Sequence, residues 1–395
     1  MQVGESTISR LAGVKAPPLW AAALLICACH GAFVLAAGVK MSPDSHAYAH
    51  WSARLIESGF DYPRVIAEAS GGFPAILYAL FGTLLALLRL AFGGGWATAL
   101  VGLNLAAHVA LGILVVRLAA RATGSGLAAW GAFLLYLACF DLLMWVPLVL
   151  SDSTFVLIAF GIFTLAAARI LGEAKGWTAT LALTTAGIFY RPTGMVLIPD
   201  LAWAIYLARR GAGKIRRGPA LALLAAAVTA MVCAYAWLVQ DPGRWPLDAL
   251  SAAFRNSASE YSAGQVVSAR PETYHPPPRE LLDFVLISAD RFLHFFAIGA
   301  STFSAGHWLV EAIFFLPCYA LAGWLALALW RGRTAFGTAE RKLFLAAFGA
   351  VLSYAVFHAL VQVDFDWRYR TPILPHLILL AAGGLADLAR RRTSG

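Results

Sequence analysis

The fold turns on one stretch, Phe73-Pro74-Ala75-Ile76-Leu77-Tyr78-Ala79-Leu80-Phe81-Gly82-Thr83-Leu84-Leu85-Ala86-Leu87-Leu88-Arg89-Leu90-Ala91-Phe92-Gly93-Gly94-Gly95. Residues 73–92 are long and apolar enough to cross a bilayer, which takes about 20 residues. Yet Arg89 lies within them and three glycines end them. Whether they cross sets the side of every later loop. Arg10 and Lys15 place the N-terminus inside by the positive-inside rule. If 73–92 crosses, the loop 209–218 with Arg209, Arg210, Lys214, Arg216 and Arg217 falls outside, against that rule. If it does not, the basic loops after residues 116, 171, 208, 330 and 389 all fall inside. Of the 30 Lys and Arg, 18 are then inside, and 16 of the 21 acids are outside. The stretch therefore reads as interfacial or re-entrant, bending back at Gly93–Gly95.

Composition agrees with a membrane chain. Of 395 residues, 60% are apolar and only 13% charged, and mean hydropathy is +0.72; soluble domains carry about 25% charge. An ordinary soluble protein, a disordered chain and a disulfide scaffold are excluded, and a polytopic helical membrane protein is expected. The net charge of +9 matters less than its sidedness, so no nucleic-acid partner is expected. The five cysteines lie in apolar runs without zinc spacing and read as small core residues. The first run, 19–39, lacks a signal-peptidase exit site and reads as a membrane anchor. The spanning candidates are 19–39, 96–116, 126–146, 153–171, 177–190, 193–208, 219–239, 308–330, 343–362 and 372–389, with 292–303 too short. The expectation is all-α: one domain over 1–395, a bundle of about ten spanning helices, interfacial helices in a first outer loop (40–95), and both termini inside. A second outer loop, 240–307, carries Arg255, Arg270, His275 and Arg279 around its prolines and reads as a lid.

Inside loops are short and basic, so chemistry belongs to the outer face. There the first loop begins Ser42-Pro43-Asp44-Ser45-His46. Ser42 is a good N-cap and Pro43 a good first helical residue. Tyr48, Trp51 and Leu55 form one apolar stripe, with His46, His50, Arg54 and Glu57 largely elsewhere, which describes an amphipathic surface helix holding Asp44 at its start. Asp44 either caps that helix or does chemistry. Asp152, after Leu150-Ser151 in an apolar stretch, either caps the next helix or is a functional membrane carboxylate. Two carboxylates at one mouth can hold or deprotonate a hydroxyl, or share a divalent cation such as Mg or Mn.

Arg191, in Tyr190-Arg191-Pro192-Thr193-Gly194, is held near the interface, where it meets either a lipid phosphate or ordinary headgroups. Arg368 and Arg370 flank Tyr369 before a Pro-started helix, which suits a phosphate; the alternative is an aromatic anchor with internal Arg–Asp pairs. Asp366, Tyr369, His46 and Tyr48 complete the candidate pocket for donor and acceptor. His307 and Glu311 stand at i, i+4, as a metal pair or a structural hydrogen bond. Asp200 is expected to pair with a polar neighbour in the bundle, and His108 and His358 to be satisfied core histidines.

These residues together resemble GT-C membrane glycosyltransferases, relatives of protein O-mannosyltransferases and aminoarabinose transferases. Pro43-Asp44-Ser45-His46-Ala47-Tyr48 looks like the Asp-bearing first outer loop of that family, and Phe73-Pro74-Ala75-Ile76-Leu77-Tyr78 like its interfacial segment. Leu150-Ser151-Asp152 resembles its second acidic position. Phe189-Tyr190-Arg191-Pro192-Thr193-Gly194 and Arg368-Tyr369-Arg370-Thr371-Pro372-Ile373-Leu374-Pro375 resemble its later outer turns. The resemblance implies a polyprenyl-phosphate sugar donor, a hydroxyl acceptor and transfer on the non-cytoplasmic face. Where some relatives carry Lys-Pro-Pro, this chain has Gly71-Gly72-Phe73-Pro74, so phosphate binding is assigned to Arg191, Arg368, Arg370 or Arg64. Relatives often carry a soluble C-terminal domain; here acceptor recognition is expected from the membrane domain or a partner. The alanine-rich, arginine-preferring composition suggests a bacterial inner membrane.

A glycosyl phosphate needs positive charge on its leaving group more than a proton. Asp44 is the expected base, with inversion in a single displacement. The rival is a multi-pass transporter or flippase of lipid-linked sugars, which would show mid-membrane ionisable groups and related halves. Only Asp200 meets the first condition.

Overall fold

The computed structural model describes residues 14–68, 75–210, 281–299, 303–361 and 367–394. The described helices, in chain order, are α1 (Leu19–Ala37), α2 (Pro43–Glu57), α3 (Tyr62–Glu68), α4 (Ala79–Phe92), α5 (Trp96–Thr123), α6 (Gly126–Ala138) and α7 (Phe140–Leu143). They continue with α8 (Asp152–Ile170), α9 (Thr178–Ile188), α10 (Leu197–Arg209), α11 (Leu281–Phe295), α12 (Ala305–Trp330), α13 (Thr338–Val361) and α14 (Leu374–Ser394). The protein is an all-α, polytopic membrane bundle.

Six helical stretches among the described residues are long and apolar enough to span: Leu19–Ala37, Ile76–Thr123, Asp152–Ile170, Ala305–Trp330, Thr338–Leu360 and Arg368–Arg392. This corrects the expected count of about ten. Hydropathy runs on through places where the backbone does not. The run 126–146 breaks at Cys139, and α6 has 13 residues. The run 177–190 gives α9, with 11 residues, and 193–208 opens with a 3-10 turn at Pro192–Val196 before the 13-residue α10. At 1.5 Å per residue, helices of this length reach about 20 Å, short of a hydrocarbon core of about 30 Å. The run 219–239 lies outside the described residues.

From Ala75 on, the deciding stretch is helical but not one rod with α5. Gly93 takes φ +53°, and a 3-10 turn at Gly93–Gly95 separates α4 from α5. Arg89 lies 4.5 Å from the centre of the Trp96 ring across this turn. The buried face of α4 (Phe81, Gly82, Leu85, Ala86) packs against α2. A Cβ on Gly82 would stand 2.4 Å from the Trp51 indole, so glycine permits the contact.

α14 is the axis of the bundle. Leu374 and Leu377 to Ala382 are all buried, in a helix packed by α12, α6, α5 and α13. Small residues allow the approach. A Cβ on Gly384 would lie 2.1 Å from the Leu321 carbonyl oxygen of α12. At one end of the bundle the basic segments meet. Arg390 donates to the Thr123 carbonyl, Arg391 to that of Arg333 and Lys342 to that of Arg210, while Arg121 pairs with Glu173. Trp130 Nε1 donates to the Lys15 carbonyl, 3.1 Å away. Residues 15, 123, 173, 210, 333 and 391 therefore share that end, and Asp44, Asp152, Arg191 and Arg368 share the other.

Candidate functional site

A short backbone bridge assembles the second end. The Lys40 N–H donates to the Pro147 carbonyl at 2.9 Å, and the Val149 N–H to the Lys40 carbonyl at 3.0 Å. This clasps the chain just before α2 to the chain just before α8. Asn104, fully buried on α5, donates to the Leu148 carbonyl at 3.0 Å and braces the same segment.

At the start of α2 the cap is made without Asp44. Ser42 Oγ accepts from the Ser45 N–H, and Ser45 Oγ accepts from the Ser42 N–H at 2.9 Å. The Asp44 carboxylate is free to reach α14's leading turn, where Arg368 Nη1 donates to its Oδ2 at 2.6 Å. Asp44 keeps 42% of its side chain exposed and Arg368 12%. Asp152 is the first residue of α8, whose N-cap position is held by Ser151. Asp152 pairs with Arg191, both nearly buried, and Arg368 Nε stands 3.9 Å from its Oδ1. Arg368 thus joins the two carboxylates that sequence reading singled out. The capping alternative fails for both.

Arg191 does not snorkel to headgroups. Its backbone is extended at φ −160°, which turns the side chain inward from the junction of α9 and the Pro192 turn. Gly194 makes that junction possible, since a Cβ there would lie 2.1 Å from the Gly187 carbonyl. Burial alone would lower the Arg191 pKa, but the Asp152 carboxylate outweighs it and holds the guanidinium more firmly protonated than usual. An aromatic wall lines the pair. The Tyr48 ring lies 5.1 Å from that of Tyr78, tilted against it, and 5.1 Å from that of Phe81, edge-on, and Phe81 lies 5.5 Å from Tyr190. The Tyr48 and Tyr78 hydroxyls hydrogen-bond each other, and Tyr190 shares a 2.5 Å hydrogen bond with Thr154. Burial pushes the Tyr48 and Tyr190 phenols well up from their usual value.

Arg370 belongs elsewhere. It is 1% exposed, with Nε donating to Asp141 Oδ2 at 2.6 Å, Nη1 to the Ala297 carbonyl and Nη2 to Glu311 Oε2 at 3.4 Å. Its guanidinium also covers the Phe315 ring at 4.2 Å. These contacts anchor the 3-10 turn Trp367–Ile373, which also carries Arg368. Arg370 thus stands between the Asp141 and Glu311 carboxyls. His307 Nε2 lies 3.8 Å from Glu311 Oε1, too far for the anticipated hydrogen bond.

Tyr369 is half-buried beside Arg368, whose Nη2 donates to its hydroxyl at 3.4 Å. His46 is exposed on α2, and Arg64 is exposed on α3, where its backbone N–H donates to Asp61. The cluster is built without either. Asp366 and the lid residues Arg255, Arg270, His275 and Arg279 lie outside the described residues. Asp200 hydrogen-bonds Ser353, the polar neighbour anticipated for it. His108 is satisfied by His30 at 2.8 Å and Tyr136 at 3.1 Å. His358 is buried between the Phe295 and Tyr369 rings.

Sequence reading missed Asp141, Tyr78 and the Arg370–Glu311 contact. Asp141 was counted inside an apolar run, although an acid there is costly unless paired. Among the described residues no group of three or more His, Cys, Asp or Glu could hold a metal ion. Arg368 is paired with Asp44, and Arg191 with Asp152. No protein-family model, curated protein or solved structure matches the chain.

Proposed function

We propose that the protein is a GT-C-type membrane glycosyltransferase that moves a sugar from a polyprenyl-phosphate donor to a hydroxyl acceptor. The carrying observation is the cluster at one end of the bundle, where Arg368 links the half-exposed Asp44 to the buried Asp152–Arg191 pair. Chemically this offers a carboxylate at the mouth with guanidinium charge behind it. The donor phosphate takes N–H groups of Arg368, which releases Asp44 toward the acceptor. The acceptor oxygen attacks the anomeric carbon and its proton passes to Asp44. The bond from that carbon to the phosphate oxygen breaks, and polyprenyl phosphate leaves as an anion stabilised by arginine. Single displacement inverts the anomeric centre.

Sidedness follows from charge. The basic end is cytoplasmic by the positive-inside rule, so both chain termini face the cytoplasm and the cluster faces the other side, in a bacterial inner membrane. The test is release of polyprenyl phosphate from a labelled lipid-linked sugar by purified protein. A loss of about 10²–10⁴-fold is expected for Asp44→Asn, the range of a general base. Undiminished turnover in that variant removes Asp44 from the mechanism. Movement of intact donor across vesicles without release would favour the flippase reading.

A further inference from the structure

Opposite the cluster, the last turns of α12 and α14 and the turn joining α12 to α13 line an open cavity of about 190 Å³. It is lined by Trp324, Leu327, Ala328, Arg331, Arg333 and Arg391. Its frame is built around Asp387, which is fully buried. Asp387 accepts from Trp324 Nε1 at 3.1 Å, from the Ala335 N–H at 2.7 Å and from Arg391 Nε at 2.8 Å. Arg391 also donates to the Arg333 carbonyl and covers the Trp324 ring at 5.2 Å. Gly332, at φ +65°, turns the chain between Arg331 and Arg333. The negative charge of Asp387 is thus taken by Arg391, while Arg331 and Arg333, both exposed, add two positive charges. Among the described residues no carboxylate pairs with either.

The cavity has a cationic rim and an apolar wall. Leu327, 41% exposed, continues the outward stripe of α12 formed by Leu309, Ile313 and Leu316. A soluble phosphate would use only the rim, whereas a phospholipid would use both, its acyl chain lying along the stripe. Basic pockets beside spanning helices suit anionic headgroups. We propose that this cavity binds the phosphodiester headgroup of an anionic membrane lipid.

The experiment titrates purified full-length protein in neutral detergent with phosphatidylglycerol, phosphatidylcholine or inorganic phosphate at fixed ionic strength. The apparent melting temperature is the readout. Arg331→Gln/Arg333→Gln removes two side chains that pair with no described carboxylate, so folding is retained. Its melting temperature without lipid, matched to wild type, checks this; if it falls, Arg331→Lys/Arg333→Lys, which keeps both charges, must retain the lipid response. Wild type is expected to be stabilised by phosphatidylglycerol and not by phosphatidylcholine. Each surface arginine contributes about five-fold, so the Gln variant should need about thirty-fold more phosphatidylglycerol for the same shift. An equal response in wild type and the Gln variant overturns the proposal, as does an equal shift from phosphatidylcholine. Full stabilisation by inorganic phosphate alone would make it a free-anion site and overturn the lipid assignment.

Discussion

Arg368 and Arg370 are two residues apart and do different work. Arg368 bridges Asp44 and Asp152 near solvent, whereas Arg370 sits under Phe315 with Asp141 and Glu311. Removing Arg370 leaves two buried carboxyls without their cation, and breaking such a group costs about 3–5 kcal/mol. Arg370→Ala should therefore unfold at markedly lower temperature in detergent than wild type. Arg370→Met combined with Asp141→Leu and Glu311→Gln should recover much of the loss, because apolar replacement of buried charges is often neutral. A single variant as stable as wild type would show that the cluster carries no such strain.

Tyr48 sets a pH limit at the same scale. Burial raises its pKa above the ordinary value near 10. The folded protein holds the phenolic proton more tightly than the unfolded chain does. That stabilisation is complete below about pH 10 and is lost as pH rises further. Thermal unfolding from pH 8 to 11 should show a steep alkaline fall, shallower in Tyr48→Phe; identical slopes would contradict the burial argument.

At the scale of elements, close backbone approach positions the charges. The α9–α10 junction tolerates no side chain at Gly194, where a Cβ would meet the Gly187 carbonyl at 2.1 Å. On Gly187, by contrast, a Cβ would meet the tip of the Leu197 side chain at 2.5 Å, which can rotate. Gly194→Ala should cost about 1–3 kcal/mol as an overpacking change and displace Arg191. Gly187→Ala should cost less. Melting temperatures of the two variants order the effects, and the reverse order would refute this account of the turn. The amphipathic α2 was legible because a stripe with helical spacing needs only local periodicity; its Ser42 cap and Pro43 start are as read, and the stripe of Tyr48, Trp51 and Leu55 is buried within the protein. Helix lengths were not legible, since a hydropathy run does not register the break at Cys139 or the 3-10 turn at Pro192–Val196.

Among the described residues, the basic segments gather at one end and the Asp44 cluster lies at the other. In a cysteine-free background, Ala47→Cys should react with a membrane-impermeant maleimide from outside intact cells. Arg392→Cys should react only after permeabilisation. Labelling of both before permeabilisation would reverse the sidedness argument.

Composition and periodicity by themselves determined an all-α membrane protein, the helix after residue 42, and which acids and arginines were worth following. Those properties depend on local solvation and helical repeat, which travel with the sequence. Only the tertiary structure decided the partners: Asp44 with Arg368, Asp152 with Arg191, and Arg370 with Asp141 and Glu311. A carboxylate at a helix start is as good a cap as a ligand until something distant arrives beside it. Arg368 arrives from 324 residues away, and a packed bundle, not a local pattern, brings it there.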